Sequence, residues 1–108
     1  MSDFYLKKGD LLPILQSELS DASGIIDLST VTGVYFNYRP RYLSSGAIQR
    51  TGFVASASGG IVEIDWVSLD TAIPGVYYGE WQIIFSNQKQ ITFPNDSMII
   101  FEITENLI

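Results

Sequence analysis

Three stretches of the chain, residues 31–39, 60–67 and 76–85, alternate apolar and polar side chains with a period of two. A period of two is typical of a β-strand that buries one face. The alternation places Trp66 and Trp81 in phase with aliphatic side chains, so we expect both indoles to lie in a core. Each of these stretches therefore predicts a half-buried strand.

Two further stretches carry apolar residues without clear alternation. Residues 97–104 (SMIIFEIT) are apolar on both faces, which predicts a central strand or a strand covered by a partner. Residues 11–20 (LLPILQSELS) allow a short helix with Pro13 in its first turn. We favour an edge strand there, because proline is tolerated at a sheet edge and no other segment has a helical pattern.

Turn residues separate these segments. DASG at 21–24, Pro74-Gly75 and SNQK at 86–89 are typical of tight turns, whereas residues 39–52 (RPRYLSSGAIQRTG) form the longest irregular stretch. Its second half is a candidate start for a strand that runs on through FVASAS. Short strands with turns every 8–12 residues are typical of β-sandwiches. We predict a single domain over residues 1–108, an all-β, immunoglobulin-like β-sandwich of about seven antiparallel strands.

The composition excludes several kinds of partner and of catalytic chemistry. Among 108 residues, six Lys and Arg face twelve Asp and Glu, which gives a net charge of −6 and argues against nucleic acid as a partner. There is no cysteine or histidine, so thiolate catalysis, disulfides and the commonest general base are excluded. No window is apolar enough for a signal peptide or a membrane span, so we expect synthesis in the cytoplasm and no membrane partner.

Candidate catalytic residues are few. Glu63 and Asp65 lie on one strand face and would serve a carboxylate hydrolase or a cation site, but an outer polar face is the simpler interpretation. Ser44 and Ser45 match no nucleophile motif. We therefore predict that the protein is not an enzyme and holds no cofactor and no metal.

Aromatic side chains are the stronger candidates for a binding role. We expect Tyr77 to join the two tryptophans in the core, whereas other Tyr, Arg and apolar residues fall on the opposite faces or in a loop. Exposed Tyr and Arg are enriched at protein–protein hot spots, although an ordinary surface is an open alternative. The candidate interface residues are Tyr35, Arg39, Arg41, Tyr42, Tyr78, Ile84, Ile99 and Phe101.

The order of these features resembles a known family. KKGDLLPILQSELSDASGIIDLSTVTGVYFNYR, then GIVEIDWVSLDTAIPGVYYGEWQIIFSNQKQITFPND, then MIIFEITENL are similar to the immunoglobulin-like N-terminal domain of phage baseplate upper proteins. That domain also occurs in other tail and virion proteins of phages and prophages. The resemblance covers about residues 7 to 107, except for residues 40–60, which match nothing in it.

The resemblance implies a non-enzymatic structural protein of the virion, in the tail, the baseplate or the capsid surface. Its implied partners are other virion proteins in a symmetric, multi-copy assembly. A carbohydrate-binding module for attachment to the host surface is the alternative, because Trp and Tyr side chains on the strands could stack on sugar rings, as they commonly do in β-sandwich binding modules.

Overall fold

The computed structural model describes residues 2–42, 46–94 and 97–107. Within these ranges the chain forms eleven strands and one short 3-10 helix (Ser68–Thr71). The strands are β1 (Phe4–Lys7), β2 (Leu15–Glu18), β3 (Ser20–Asp21), β4 (Gly24–Ile25), β5 (Val31–Pro40), β6 (Ile48–Thr51), β7 (Phe53–Ser56), β8 (Ile61–Ile64), β9 (Gly75–Phe85), β10 (Gln90–Phe93) and β11 (Ile99–Thr104). No helix in the described ranges could cross a bilayer.

The larger sheet has six strands and is organised around β9. Its order is β1-β11-β9-β5-β6, and β10 pairs with β9 as well. β5 follows one side of β9 from Phe85 to Tyr77, whereas β11 and β10 lie end to end along the other side. β1 runs parallel to β11, and every other pairing in the sheet is antiparallel.

A smaller sheet, in the order β2-β8-β7, faces the larger one, and β3 and β4 form a short hairpin beside it. The chain passes directly from the larger sheet to the smaller at Gly52, between β6 and β7. The Gly52 amide donates to the Val34 carbonyl over 2.8 Å, and a Cβ there would lie 2.6 Å from the Glu63 carbonyl oxygen. Only glycine lets the two sheets approach so closely at this crossing.

The core lies between the two sheets and is rich in aromatic rings. Phe101 is fully buried and stacks on Tyr77 and Phe4, with ring centroids 5.3 and 5.0 Å apart. The Phe36 ring lies against Gly79, where a Cβ would come within 2.3 Å of the ring. Fully buried apolar side chains come from both sheets and from Leu19, which lies between β2 and β3; those of the sheets include Phe36, Val62, Ile64, Trp81, Ile83 and Phe101.

The structure confirms the predicted all-β class and the predicted buried faces. The alternating residues of β5, β8 and β9 point inward as expected, and β2 forms an edge of the smaller sheet. Two expectations are wrong. The described chain has more than about seven strands, because β1, β6 and the short β3–β4 hairpin add to the strands that the patterns predict. The strands are not all antiparallel, since β1 enters the larger sheet parallel to β11.

Candidate interface

Four of the candidate interface residues share one surface, the side of the larger sheet that faces away from the smaller sheet; we call it the outer face. These residues are Tyr35, Arg39, Tyr78 and Ile84, each half-buried. They alternate along β5 and β9 with core residues, so strand periodicity alone turns them outward. Arg39 lies directly opposite Tyr78, and its guanidinium carbon is 5.7 Å from the centre of the tyrosine ring. This distance suits a cation–π contact.

Neighbouring strands extend the outer face. Ile100 of β11 pairs with Tyr78, so Ile100, Tyr78 and Arg39 form one row across three strands. Tyr5 of β1 lies beside Glu102 in the next row and is more than half exposed. The outer face therefore combines aromatic, aliphatic and charged side chains, the mixture that protein–protein contacts use.

Arg41 and Tyr42 follow β5 at the end of the sheet. The Arg41 amide donates to the Val76 carbonyl over 2.8 Å, which fixes the backbone. The Arg41 guanidinium carbon is 4.5 Å from the Tyr42 ring centre, and the same side chain donates to the Tyr42 hydroxyl. Tyr42 is 82% exposed, so the pair presents a solvent-facing ring next to a cation.

The last two candidates, Ile99 and Phe101, face the core instead of a partner. Phe101 has no exposed surface, and Ile99 packs against the core from the rim. β11 pairs with β9 so that Phe101 lies opposite Tyr77, and both turn inward. The assignment of Phe101 to an interface is therefore wrong. A run of consecutive apolar residues does not reveal which parity is buried.

Both tryptophans lie in the core, as the alternation predicts. Trp66 is 3% exposed and its indole nitrogen donates to the Pro13 carbonyl over 3.1 Å. Trp81 is 0% exposed and donates to the hydroxyl of Ser17 over 2.8 Å. Neither indole offers a face on which a sugar ring could stack.

Asp70 is a polar centre that the sequence does not single out. Its carboxylate forms an ion pair with Arg50 of β6, and it accepts hydrogen bonds from the Tyr38 hydroxyl (3.3 Å) and the Val67 amide (2.8 Å). The Asp70 side chain is only 8% exposed and that of Arg50 is 24% exposed. An acid at the third position of a short helix, three residues after the N-cap Val67, is the one sequence signal that could have revealed its capping role.

Two buried tyrosines near this centre have perturbed ionisation. Burial raises the pKa of Tyr77, whose hydroxyl donates to the Ile73 carbonyl over 2.6 Å. Burial also raises the pKa of Tyr38; the nearby Arg50 acts in the opposite direction, and Tyr77 adds a smaller increase. A phenolate is disfavoured at both positions, since the charged form would lose its hydration. Both hydroxyls therefore act as neutral donors.

The candidate catalytic groups do not converge. Glu63 accepts a hydrogen bond from the Gln16 side chain, whereas Asp65 is exposed beyond the end of β8. The described residues contain no group of three acidic side chains placed to hold a metal ion. Ser44 and Ser45 lie outside the described residues, as do Asn95 and Asp96 of the FPND motif.

Comparison with protein families and with curated proteins adds no relative. No protein-family model matches the chain, and no curated protein is similar to it.

Proposed function

We propose that the protein is a non-enzymatic structural module of a phage virion. It forms an immunoglobulin-like sandwich in the tail, the baseplate or the capsid surface, and docks on neighbouring virion proteins. The observation that carries the proposal is the ordered series of motifs over about residues 7 to 107, which resembles the immunoglobulin-like domain of phage baseplate upper proteins.

The arrangement of the side chains supports this role. Large aromatic rings fill the space between the sheets and stabilise a rigid body, because each buries a large apolar area. The outer face places Arg39 and Tyr78 side by side, and these residue types often dominate binding energy at interfaces. A rigid domain whose outer face binds neighbouring proteins suits the repeated contacts of a symmetric assembly.

The outer face is the contact surface in this proposal. Its row of Ile100, Tyr78 and Arg39 crosses three adjacent strands of the larger sheet, β11, β9 and β5. A partner that covers this row would bury two apolar side chains and retain the cation–π contact. The Arg41 and Tyr42 pair lies at the end of the same sheet and would extend the contact.

Purified particles test the proposal. Particles from the phage or prophage that encodes this sequence are separated from free protein on a density gradient, and peptides of the chain are quantified by mass spectrometry. We expect the chain to sediment with the particles at a fixed ratio to their structural proteins. A chain that stays in the soluble fraction of every preparation would overturn the proposal.

The carbohydrate-binding alternative receives no support from a specific observation. It rested on tryptophan and tyrosine side chains of the sandwich as stacking platforms, and both indoles and Tyr77 are buried. We therefore propose no second function.

A further inference from the structure

The two sheets meet along two sides of the core. At the β6 side, the chain runs from one sheet into the other through Gly52. At the opposite side, two adjoining grooves of about 730 and 460 Å³ open between β10, the β3–β4 hairpin and β2. Their shared lining is Phe93, the last residue of β10.

β10 has a free backbone edge beside these grooves. The Phe85 amide donates to the Lys89 carbonyl over 2.9 Å, which fixes the alternation of the antiparallel ladder. Ile91 and Phe93 then direct their backbone groups at β9, whereas the N–H and C=O groups of Gln90 and Thr92 point away from it. No strand of the described chain pairs with this outer edge.

The neighbouring half of the same sheet edge is already occupied. β10 and β11 lie end to end along β9, and β1 covers the outer side of β11. β1 pairs only as far as Phe4 opposite Phe101, and the Asp3 amide bonds to the Ile100 carbonyl just beyond. The position beside β10, in line with β1, is an unfilled strand position of the larger sheet.

The lining of the grooves indicates what would fill it. Ile26, Ile91 and Phe93 offer apolar contacts on the inward side, which suits a strand with apolar residues at alternate positions. Three carboxylates, Asp3, Glu18 and Asp21, also line the grooves, and no Lys or Arg is among the described residues of the lining. The negative rim favours positive charge on the incoming strand.

We propose that the edge of β10 accepts an extended, basic segment of a neighbouring protein as an added β-strand. A second copy of this chain is disfavoured as the donor, because it would bring its own net charge of −6 to an acidic rim. This inference rests on the proposed docking function and names the chemistry of one contact.

Synthetic peptides test the added strand. The probe is a blocked seven-residue peptide of alternating Val and Lys; one control has the same residues in two blocks, and a second alternates Val and Glu. Binding is followed by hydrogen exchange of the backbone amides. At a free concentration about ten times its Kd, the alternating basic peptide should slow exchange at Gln90 and Thr92 about tenfold.

Two matched proline variants locate the contact. Thr92→Pro removes one outward N–H without touching the ladder to β9, so the fold should persist and the affinity for the basic peptide should fall about tenfold or more. Gln49→Pro makes the same change on the outer edge of β6, where the register also turns the N–H outward, and should leave binding unchanged. Should Thr92→Pro not fold, Asp21→Lys with Glu18→Lys should reverse the preference between the basic and acidic peptides.

Three results would overturn the inference. The block peptide and the alternating peptide could bind equally well, or Thr92→Pro or the charge reversal could leave binding unchanged. The third is a dimer in which Gln90 and Thr92 are already protected without peptide. The particle experiment remains separate. If the chain is found in particles but does not bind the peptide, the structural role stands and the strand site is excluded. If the chain binds the peptide but is absent from particles, the strand site stands and the role in the virion is excluded.

Discussion

The indole nitrogen of Trp81 donates a hydrogen bond to the hydroxyl of Ser17 over 2.8 Å. Trp81 belongs to the central strand of the larger sheet, and Ser17 to the edge strand of the smaller one. A side-chain hydrogen bond thus joins the two sheets inside the core, where a tryptophan N–H requires a partner.

Ser17→Ala should destabilise the protein by about 1–3 kcal/mol, because it leaves the buried indole N–H without an acceptor. Urea unfolding followed by circular dichroism measures the change. Ser58→Ala, in the exposed turn before β8, is the control and should stay within about 0.5 kcal/mol of the wild type. Equal effects of the two substitutions would mean that the Trp81 contact adds no stability.

The native protein should show a blue-shifted tryptophan emission that acrylamide quenches weakly, because neither Trp66 nor Trp81 is exposed. Acrylamide should quench the emission strongly only after urea has unfolded the chain. Stern–Volmer plots with and without urea provide the measurement. Strong quenching in the native state would contradict the core packing and would revive the sugar-stacking alternative.

Asp70→Asn should destabilise the fold by about 1–3 kcal/mol, since it leaves the partly buried guanidinium of Arg50 without its counter-charge. The figure is below that for a fully buried pair because water reaches the Arg50 side chain. Arg50→Met and the double variant complete a thermodynamic cycle in urea. A coupling energy of zero would show that the ion pair does not stabilise the protein.

Stability should fall as the pH rises above about 10, the ordinary pKa of tyrosine. The pKa values of Tyr38 and Tyr77 are raised in the folded state, so the unfolded chain releases these protons first. Stabilisation is therefore complete below pH 10 and is lost as the pH rises towards the raised pKa values. Urea midpoints measured across this range give the slope. Tyr77→Phe removes the ionisable hydroxyl and should make the decrease of stability with pH less steep. An unchanged slope would contradict the raised pKa of Tyr77.

Arg39→Ala combined with Tyr78→Ala should lower incorporation into particles about tenfold or more, as expected when an interface hot spot is removed. The fold should be retained, because both side chains lie on the outer face. Ser58→Ala is again the control, and Tyr42→Ala tests the loop at the end of the sheet. Full incorporation of the double variant would exclude the row around Tyr78 as the contact.

The sequence predicted the buried faces where apolar and polar residues alternate strictly. In β5, β8 and β9, every second residue is apolar, and these residues all lie on the buried face of their strand. In β11 the pattern fails, because Ile99, Ile100 and Phe101 are all apolar and only pairing with β9 decides which of them turn inward.

The remaining features depend on contacts between residues that are distant along the chain. Arg50 and Asp70 are 20 residues apart and form a pair only once β6 and the 3-10 helix are in place. The crossing at Gly52 depends on the approach of Val34 and Glu63, which no local pattern records. Residues 39–52 therefore looked irregular although they contain β6.

The parallel pairing of β1 with β11 gives the module a mechanical property. A tensile force that pulls Phe4 in the N-terminal direction of β1 and Thr104 in the C-terminal direction of β11 acts along the two strands in opposite directions. The hydrogen bonds between the strands then carry the load together in shear, so they do not open one after another as a peeling edge would. A part subjected to tension between its two ends would resist extension best with this geometry.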